Sequence, residues 1–260
     1  MSGTLEGAFR ADVGLDAEDA VSLAREARMH LSVITGSRED TDEDLVTRLR
    51  DPRIFGAFVE PFLRERRLSR PARIGLAEHV FDLLPLPQGE GDVILVEARA
   101  PPRLLGIAVF LAREDAFSVL HLMHLVYSVF LDRSLVTGVD RRTRSAALRA
   151  VLVQPEANAG LRTLYAALHL AAIPEAEAHS ELRRILRARD VPEPVKDAIA
   201  SLVGSEDGGV SGLLRLAQAE GLLPPEAGRG EDLPVVANIP RMPARLAPVG
   251  RRLRARHGRR

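Results

Sequence analysis

A chain of 260 residues is long enough for one large domain or an elongated array, and 46% apolar residues are enough to fill a core. Aromatic residues make up only 4% and tryptophan is absent, so that core is aliphatic and suits helix–helix packing better than a β-sandwich. Cysteine is absent, which excludes disulfides, thiolate metal sites and cysteine nucleophiles. Net charge is zero, but residues 233–260 carry eight arginines and no acid, leaving about eight net negative charges on residues 1–232.

The first thirty residues hold acids and no apolar run, so no signal peptide is expected. Together with the missing cysteine, this reads as a cytoplasmic protein. The longest uncharged apolar stretch, 116–131, is shorter than the ~20 residues a bilayer requires and contains two histidines, so no membrane span is predicted. Lys196 is the single lysine beside thirty-five arginines, a bias that a GC-rich genome explains.

In chain order, Asp16 is placed to cap a first helix running to about Ile34, and Gly36 closes it. Thr41 followed by Asp42, Glu43 and Asp44 resembles a capping box, with acids at the positive end of the helix dipole. Asp51 and Pro52 open the next helix, which Pro61 is expected to kink or split. Ser69 then caps a helix ending near Leu84, and residues 85–91 (PLPQGEG) form a turn-rich break.

Residues 92–98 and 103–112, separated by Pro101 and Pro102, leave two alternatives open: two short helices, or a short β-hairpin over 92–112. Val93, Ile94 and Val96 favour strand in the first segment, and the helical surroundings favour helix in the second. An apolar helix over 116–131 follows. Asp140 caps a helix to about Val153, and Pro155, Pro174 and Pro192 each stand at the start of another. A last helix begins at Gly209 or Ser211 and ends at Gly221. The organisation predicted is an N-terminal helical segment over 1–39, a helical-repeat domain over 40–225, and a disordered Pro/Arg-rich basic tail over 226–260. Within that tail, 233–239 (LPVVANI) is a short candidate docking segment.

The chain also resembles itself. Residues 63–80 (LRERRLSRPARIGLAEHV) lie over 186–203 (LRARDVPEPVKDAIASLV) without a gap. Leu63/Leu186, Arg64/Arg187, Arg66/Arg189, Pro71/Pro194, Ala77/Ala200 and Val80/Val203 are identical, and Arg73/Lys196 keep their charge. The offset of 123 residues is about three periods of roughly 40-residue helix-pair repeats. Helix starts near 140, 155, 174, 192 and 210 add a matching rhythm. Over about residues 40–222 this resembles HEAT- or armadillo-type α-solenoids, which implies an all-α fold of stacked antiparallel helix pairs that binds other macromolecules.

Few residues point to chemistry. Glu114, Ser118, His121, His124, Ser128 and Asp132 share a polar strip on a helix over 116–131, and His121 with His124 has metal-ligand spacing. The pair lacks the glutamate that a catalytic zinc helix places beside its first histidine, so the strip reads as a polar helix face and no metal or cofactor is expected. Glu78 and His79 are an acid–base pair without a nucleophile. Phosphate-cradling glycine loops and a GxSxG elbow are absent. Turn arginines Arg64, Arg66, Arg67, Arg70, Arg187 and Arg189 read as helix caps and bridges to Glu65, Glu181 and Asp190.

The expected function is therefore a non-enzymatic scaffold or adaptor that binds another macromolecule, a protein in the first instance. Its candidate partner-binding residues are Arg241, Arg245, Arg251, Arg252, Arg254 and Arg256 of the tail. One alternative is a nucleic-acid-associated protein gripping phosphates through those arginines, with little sequence preference because no aromatics are interleaved. A further alternative is an acyltransferase-like enzyme: a hairpin over 92–112 before an apolar helix would resemble the central sheet of that family. Residues 138–144 (GVDRRTR) would then stand where its pyrophosphate loop belongs.

Overall fold

The first turn of a helix exposes amide groups that need acceptors, and this chain repeatedly supplies one just upstream. Thr4, Thr41, Asp51, Ser69, Ser118, Asp140 and Asn158 each accept from an amide two or three residues on. A computed structural model describes residues 4–35, 40–65, 67–84, 103–204 and 210–222, and among them there is no strand. Its helices are α1 (Leu5–Asp12), α2 (Ala17–Thr35), α3 (Asp42–Leu49), α4 (Pro52–Arg64), α5 (Arg70–Asp82), α6 (Leu104–Arg113) and α7 (Val119–Leu131). They continue with α8 (Ser134–Thr137), α9 (Arg141–Leu152), α10 (Ala159–Ala172), α11 (Glu175–Arg187), α12 (Glu193–Gly204) and α13 (Val210–Ala219). The all-α expectation holds. The described residues form two compact units, one up to Phe117 and one from Ser118 onward.

The hairpin alternative fails in its second half, because 104–113 is the helix α6, with Leu104, Leu105, Ile107, Ala108 and Leu111 buried. The segment 92–102 lies outside the described residues. Two boundaries also differ from expectation. The apolar helix starts at Val119 rather than 116, because α6 closes with a left-handed residue, Asp115 (φ 56°). The Ala116 amide donates back to the Leu111 carbonyl (2.9 Å), the geometry of a Schellman stop. The helix expected from Pro155 begins instead after its cap Asn158. The helix α1 had no counterpart in the sequence reading.

In the first unit, α1 packs on α2 and α4 packs on both α5 and α6. Phe9, Phe55, Phe58 and Phe62 form a chain of ring contacts 5.1–6.5 Å apart between centroids. Pro61 does not split α4, which runs on to Arg64. A proline removes the amide that would serve the carbonyl four residues back, here Ala57. Arg103 fills that vacancy, donating to the Ala57 carbonyl (3.3 Å) while its Nε holds Glu60 (2.8 Å).

The second unit is arranged around α10, in which every residue from Leu161 to Ala172 is buried. It packs against α7, α8, α9, α11, α12 and α13, so these helices surround a shared centre rather than touching only their neighbours in sequence.

The two self-similar segments form the same local structure. Their first helices end at Arg64 and Arg187, and their second helices open at Arg70 and Glu193. The next amides, Glu65 and Ala188, donate to Phe62 (3.2 Å) and Ile185 (3.1 Å). Leu68 and Val191 are buried in the two turns, and Leu76/Ile199 and Val80/Val203 in the helices that follow. The packing then diverges: α5 lies on α4, whereas α12 lies mainly on α10.

Leu76→Ala and Ile199→Ala should each cost about 2–5 kcal/mol in chemical denaturation, since both side chains are fully buried. Arg103→Met should cost about 1 kcal/mol in the natural chain and clearly less in a Pro61→Ala background, where the helix supplies its own donor to Ala57. Equal costs in both backgrounds would disprove the compensation.

Candidate functional site

Arg241, Arg245, Arg251, Arg252, Arg254 and Arg256 lie outside the described residues, as does Arg66. The polar strip is dispersed. Glu114 closes α6 and takes both the Nε and Nη2 donors of Arg70 (2.6 Å each), the first on its carboxylate and the second on its carbonyl. Asp132 follows α7 and accepts from the Ser134 amide (2.8 Å). His121 forms a capping box with Ser118: its amide donates to the hydroxyl (3.3 Å), and its Nδ1 accepts from the Ser118 amide (3.1 Å). That use of Nδ1 fixes the ring as a structural cap. His124 and Ser128 are buried on the same helix. His79 packs edge-on to Phe55 (5.0 Å), and burial lowers its pKa against the opposing pull of Asp82 and Asp12. Among the described residues, no three histidines or carboxylates converge as metal ligands.

The residues that do converge belong to α9, α10 and α11. Asp140 caps α9 through the Thr143 amide (3.0 Å), so the 138–144 run is a helix start. Arg144 and Ser145 on α9 meet Glu177 and Glu181, one turn apart on α11. Arg144 donates to Glu177 (2.6 Å) and to the Val136 carbonyl (3.4 Å), and Ser145 donates to Glu181 (3.0 Å). Glu181 is 3% exposed. Arg184 lies 2.8 Å from its other oxygen, but too bent for a hydrogen bond, and Arg141 approaches at 4.0 Å.

On α10, Tyr165 and His169 sit one turn apart with ring centroids 6.1 Å apart, both essentially without solvent contact. The Tyr165 hydroxyl, His169 Nδ1, Arg144 Nε and Glu181 Oε2 make no hydrogen bond among the described residues. Burial, reinforced by the charges of Arg144 and Arg184, holds the His169 pKa down to about 3, and burial pushes the Tyr165 phenol up. This is a fixed polar layer with a neutral imidazole and an undissociated phenol. Neither exchanges a proton near neutral pH.

Beside this layer, α9, α11 and the turn into α12 enclose an open groove of about 740 Å³. Its floor is Leu148, Leu152, Ile185 and Val191, and its rim is dominated by Arg149, Arg183, Arg184 and Arg187. Asp190 is the single carboxylate on the lining, and Arg149 holds it (2.8 Å). Arg184 is tied to Glu181 and to the Ser145 carbonyl (3.4 Å). Arg183 donates only to its own helix, at the His179 carbonyl (3.3 Å), and Arg187 is exposed; neither has a carboxylate partner among the described residues.

No family model, curated protein or solved structure matches this chain.

Arg187 is legible in the sequence as a turn residue, whereas the approach of His169 to the charges of Arg144 and Arg184 is not. The available signal was two polar rings one turn apart in the Ala/Leu-rich run 164–172, where an apolar face would have sufficed. Of the expected turn bridges, Arg67 does reach Glu65 (3.4 Å), whereas Glu181 and Asp190 serve Arg184 and Arg149.

His169 supplies a pH test. In the unfolded chain it takes a proton near pH 6.5, but in the folded chain it stays neutral to about pH 3. Acid therefore favours unfolding across that window. Stability is full above pH 6.5 and falls as pH drops, by up to about 1.4 kcal/mol per unit for this group. Denaturation series at pH 6.5 and 5 should show a shallower decline in His169→Gln than in the natural chain.

Proposed function

We propose that this chain is a non-enzymatic helical binding module, a scaffold or adaptor whose partner is a protein received in the groove between α9 and α11. The observation that carries the reading is the state of the groove's arginines: two are committed to internal carboxylates, while Arg183 and Arg187 face solvent without one. An exposed guanidinium pair at i, i+4 repels itself by a few tenths of a kcal/mol, a cost that an incoming anionic group relieves. The neighbouring polar layer supports binding over catalysis, because His169 is held neutral and Glu181 is already engaged.

The nucleic-acid alternative rests on tail arginines outside the described residues, and residues 1–232 carry net negative charge that works against a long polyanion. The acyltransferase alternative drew on a hairpin whose second half is helical.

Charge reversal tests the proposal. Arg183→Glu with Arg187→Glu should leave the melting temperature within a few degrees, as both residues are exposed, and should strip specific partners in quantitative affinity capture from the native host. A control reversal at exposed Arg10, in the other unit, should retain them. Identical partner profiles for both variants would remove the groove from the function.

A further inference from the structure

We infer that the groove takes an acidic segment of a partner protein, one that presents two carboxylates about a helical turn apart with small aliphatic residues between them. This deepens the groove reading and rests on it. Three features of the groove set the chemistry.

The first is charge. Four guanidiniums face one carboxylate, and that carboxylate is already bridged by Arg149, so the uncompensated charge is positive and concentrated at Arg183 and Arg187. Residues four apart on a helix hold their side chains about 5–6 Å apart at the β-carbons. Two point-like anions at similar spacing satisfy both forks, and planar guanidinium with carboxylate is the bidentate match.

The second is the floor. Leu148, Leu152, Ile185 and Val191 are 0–3% exposed, so the aliphatic layer is already closed and has no deep hole for a bulky side chain. Beneath the arginine forks, the surface on offer is their methylene stems and the half-buried Ala188, which suits small aliphatic groups.

The third is reach. The positive field is local to one groove, because residues 118–222, which carry it, hold twelve acidic and twelve basic residues and are neutral as a whole. A short acidic stretch sees the local field. A long polyanion such as duplex DNA gains no further net attraction from that neutral unit, and no aromatic side chain lines the groove to stack a base.

The test uses the full chain and fluorescence anisotropy. The probe is a short labelled peptide with glutamates spaced one turn apart among alanines and leucines, compared with its all-glutamine counterpart and a labelled DNA duplex. The glutamate peptide should bind, the glutamine peptide should bind at least about tenfold more weakly, and raised salt should weaken the glutamate complex. Arg183→Glu/Arg187→Glu should lose about tenfold or more in affinity with an unchanged thermal melt, while Arg10→Glu binds as the natural chain does.

Equal binding of both peptides, or no effect of the double reversal, overturns the proposal. So does tighter binding of the duplex than of the glutamate peptide, which would make the groove a nucleic-acid site. If a synthetic peptide of residues 231–239, which joins Glu231 and Asp232 to an aliphatic run, binds more tightly than the glutamate probe, the occupant is the chain's own segment and the partner assignment falls. If the glutamate peptide does not bind but double reversal still strips captured partners, the acidic class fails while the groove remains the binding surface.

Discussion

Each helix leaves its last carbonyls without an intrahelical donor, and in this chain the ends of five helices are met by an arginine from elsewhere. Arg73 donates to Leu63 at the end of α4, Arg70 to Glu114 at the end of α6, and Arg144 to Val136 at the end of α8. Arg162 serves Leu152 at the end of α9, and Arg133 serves Ala171 at the end of α10. A guanidinium is suited to this because its planar fork serves two acceptors at once. Arg70, Arg103, Arg144 and Arg184 each join one carboxylate to one main-chain carbonyl. The charge favours the negative end of the helix dipole as well. At Arg70, Arg103 and Arg144 two different nitrogens of one guanidinium reach the carboxylate and the carbonyl, a separation that the single nitrogen of a lysine does not span in the same geometry.

Against that background, the groove arginines divide by function. A buried carboxylate such as Glu181 is tolerated only while donors surround it, and removing one partner of such a set is strongly destabilising. Arg184 is therefore constrained by the fold even though it lines the groove. Arg183 and Arg187 carry no such duty among the described residues, and the proposed partner binding rests on that difference. The Arg144–Glu177, Ser145–Glu181 and Arg184–Ser145 contacts join α9 to α11 next to the exposed pair.

Local features were legible where a single residue decides them. Thr41, Asp51, Ser69 and Asp140 cap the helices they were expected to cap, because a side-chain acceptor at that position acts within one turn. What a residue contributes through tertiary contact was not legible. Pro61 is expected to kink or split α4, yet the helix runs through it, and the carbonyl the proline leaves without its amide is met by Arg103, over forty positions away. The polar strip over 116–131 assumed one uninterrupted helix, and the left-handed Asp115 divides it, handing Glu114 to a different helix. The buried polar residues Arg144, Tyr165, His169 and Glu181 are spread over nearly forty residues on three helices, and sequence spacing carries no record that His169 lies within the field of Arg144 and Arg184.

The gapless match between 63–80 and 186–203 shows how far self-similarity reaches. Shared residues end the first helix and open the second, and the two first helices close with the same backbone bond, although different aliphatic residues (Leu68 and Val191) are buried in the turns and Ser69 caps α5 where Pro192 precedes α12. Neither segment encodes what its second helix packs against. That choice lies with α10, whose alanines at 166, 167, 171 and 172 are all buried and let neighbouring backbones approach from several sides. With such a helix available, α12 buries Val195, Ile199 and Val203 on the second unit's shared centre, whereas α5 buries Ala72, Leu76 and Val80 in a unit where α4 and α6 are its neighbours. One turn can thus serve a stacked pair and a centred bundle alike, because turn chemistry is settled within a few residues while packing follows the apolar surface that the rest of the chain offers.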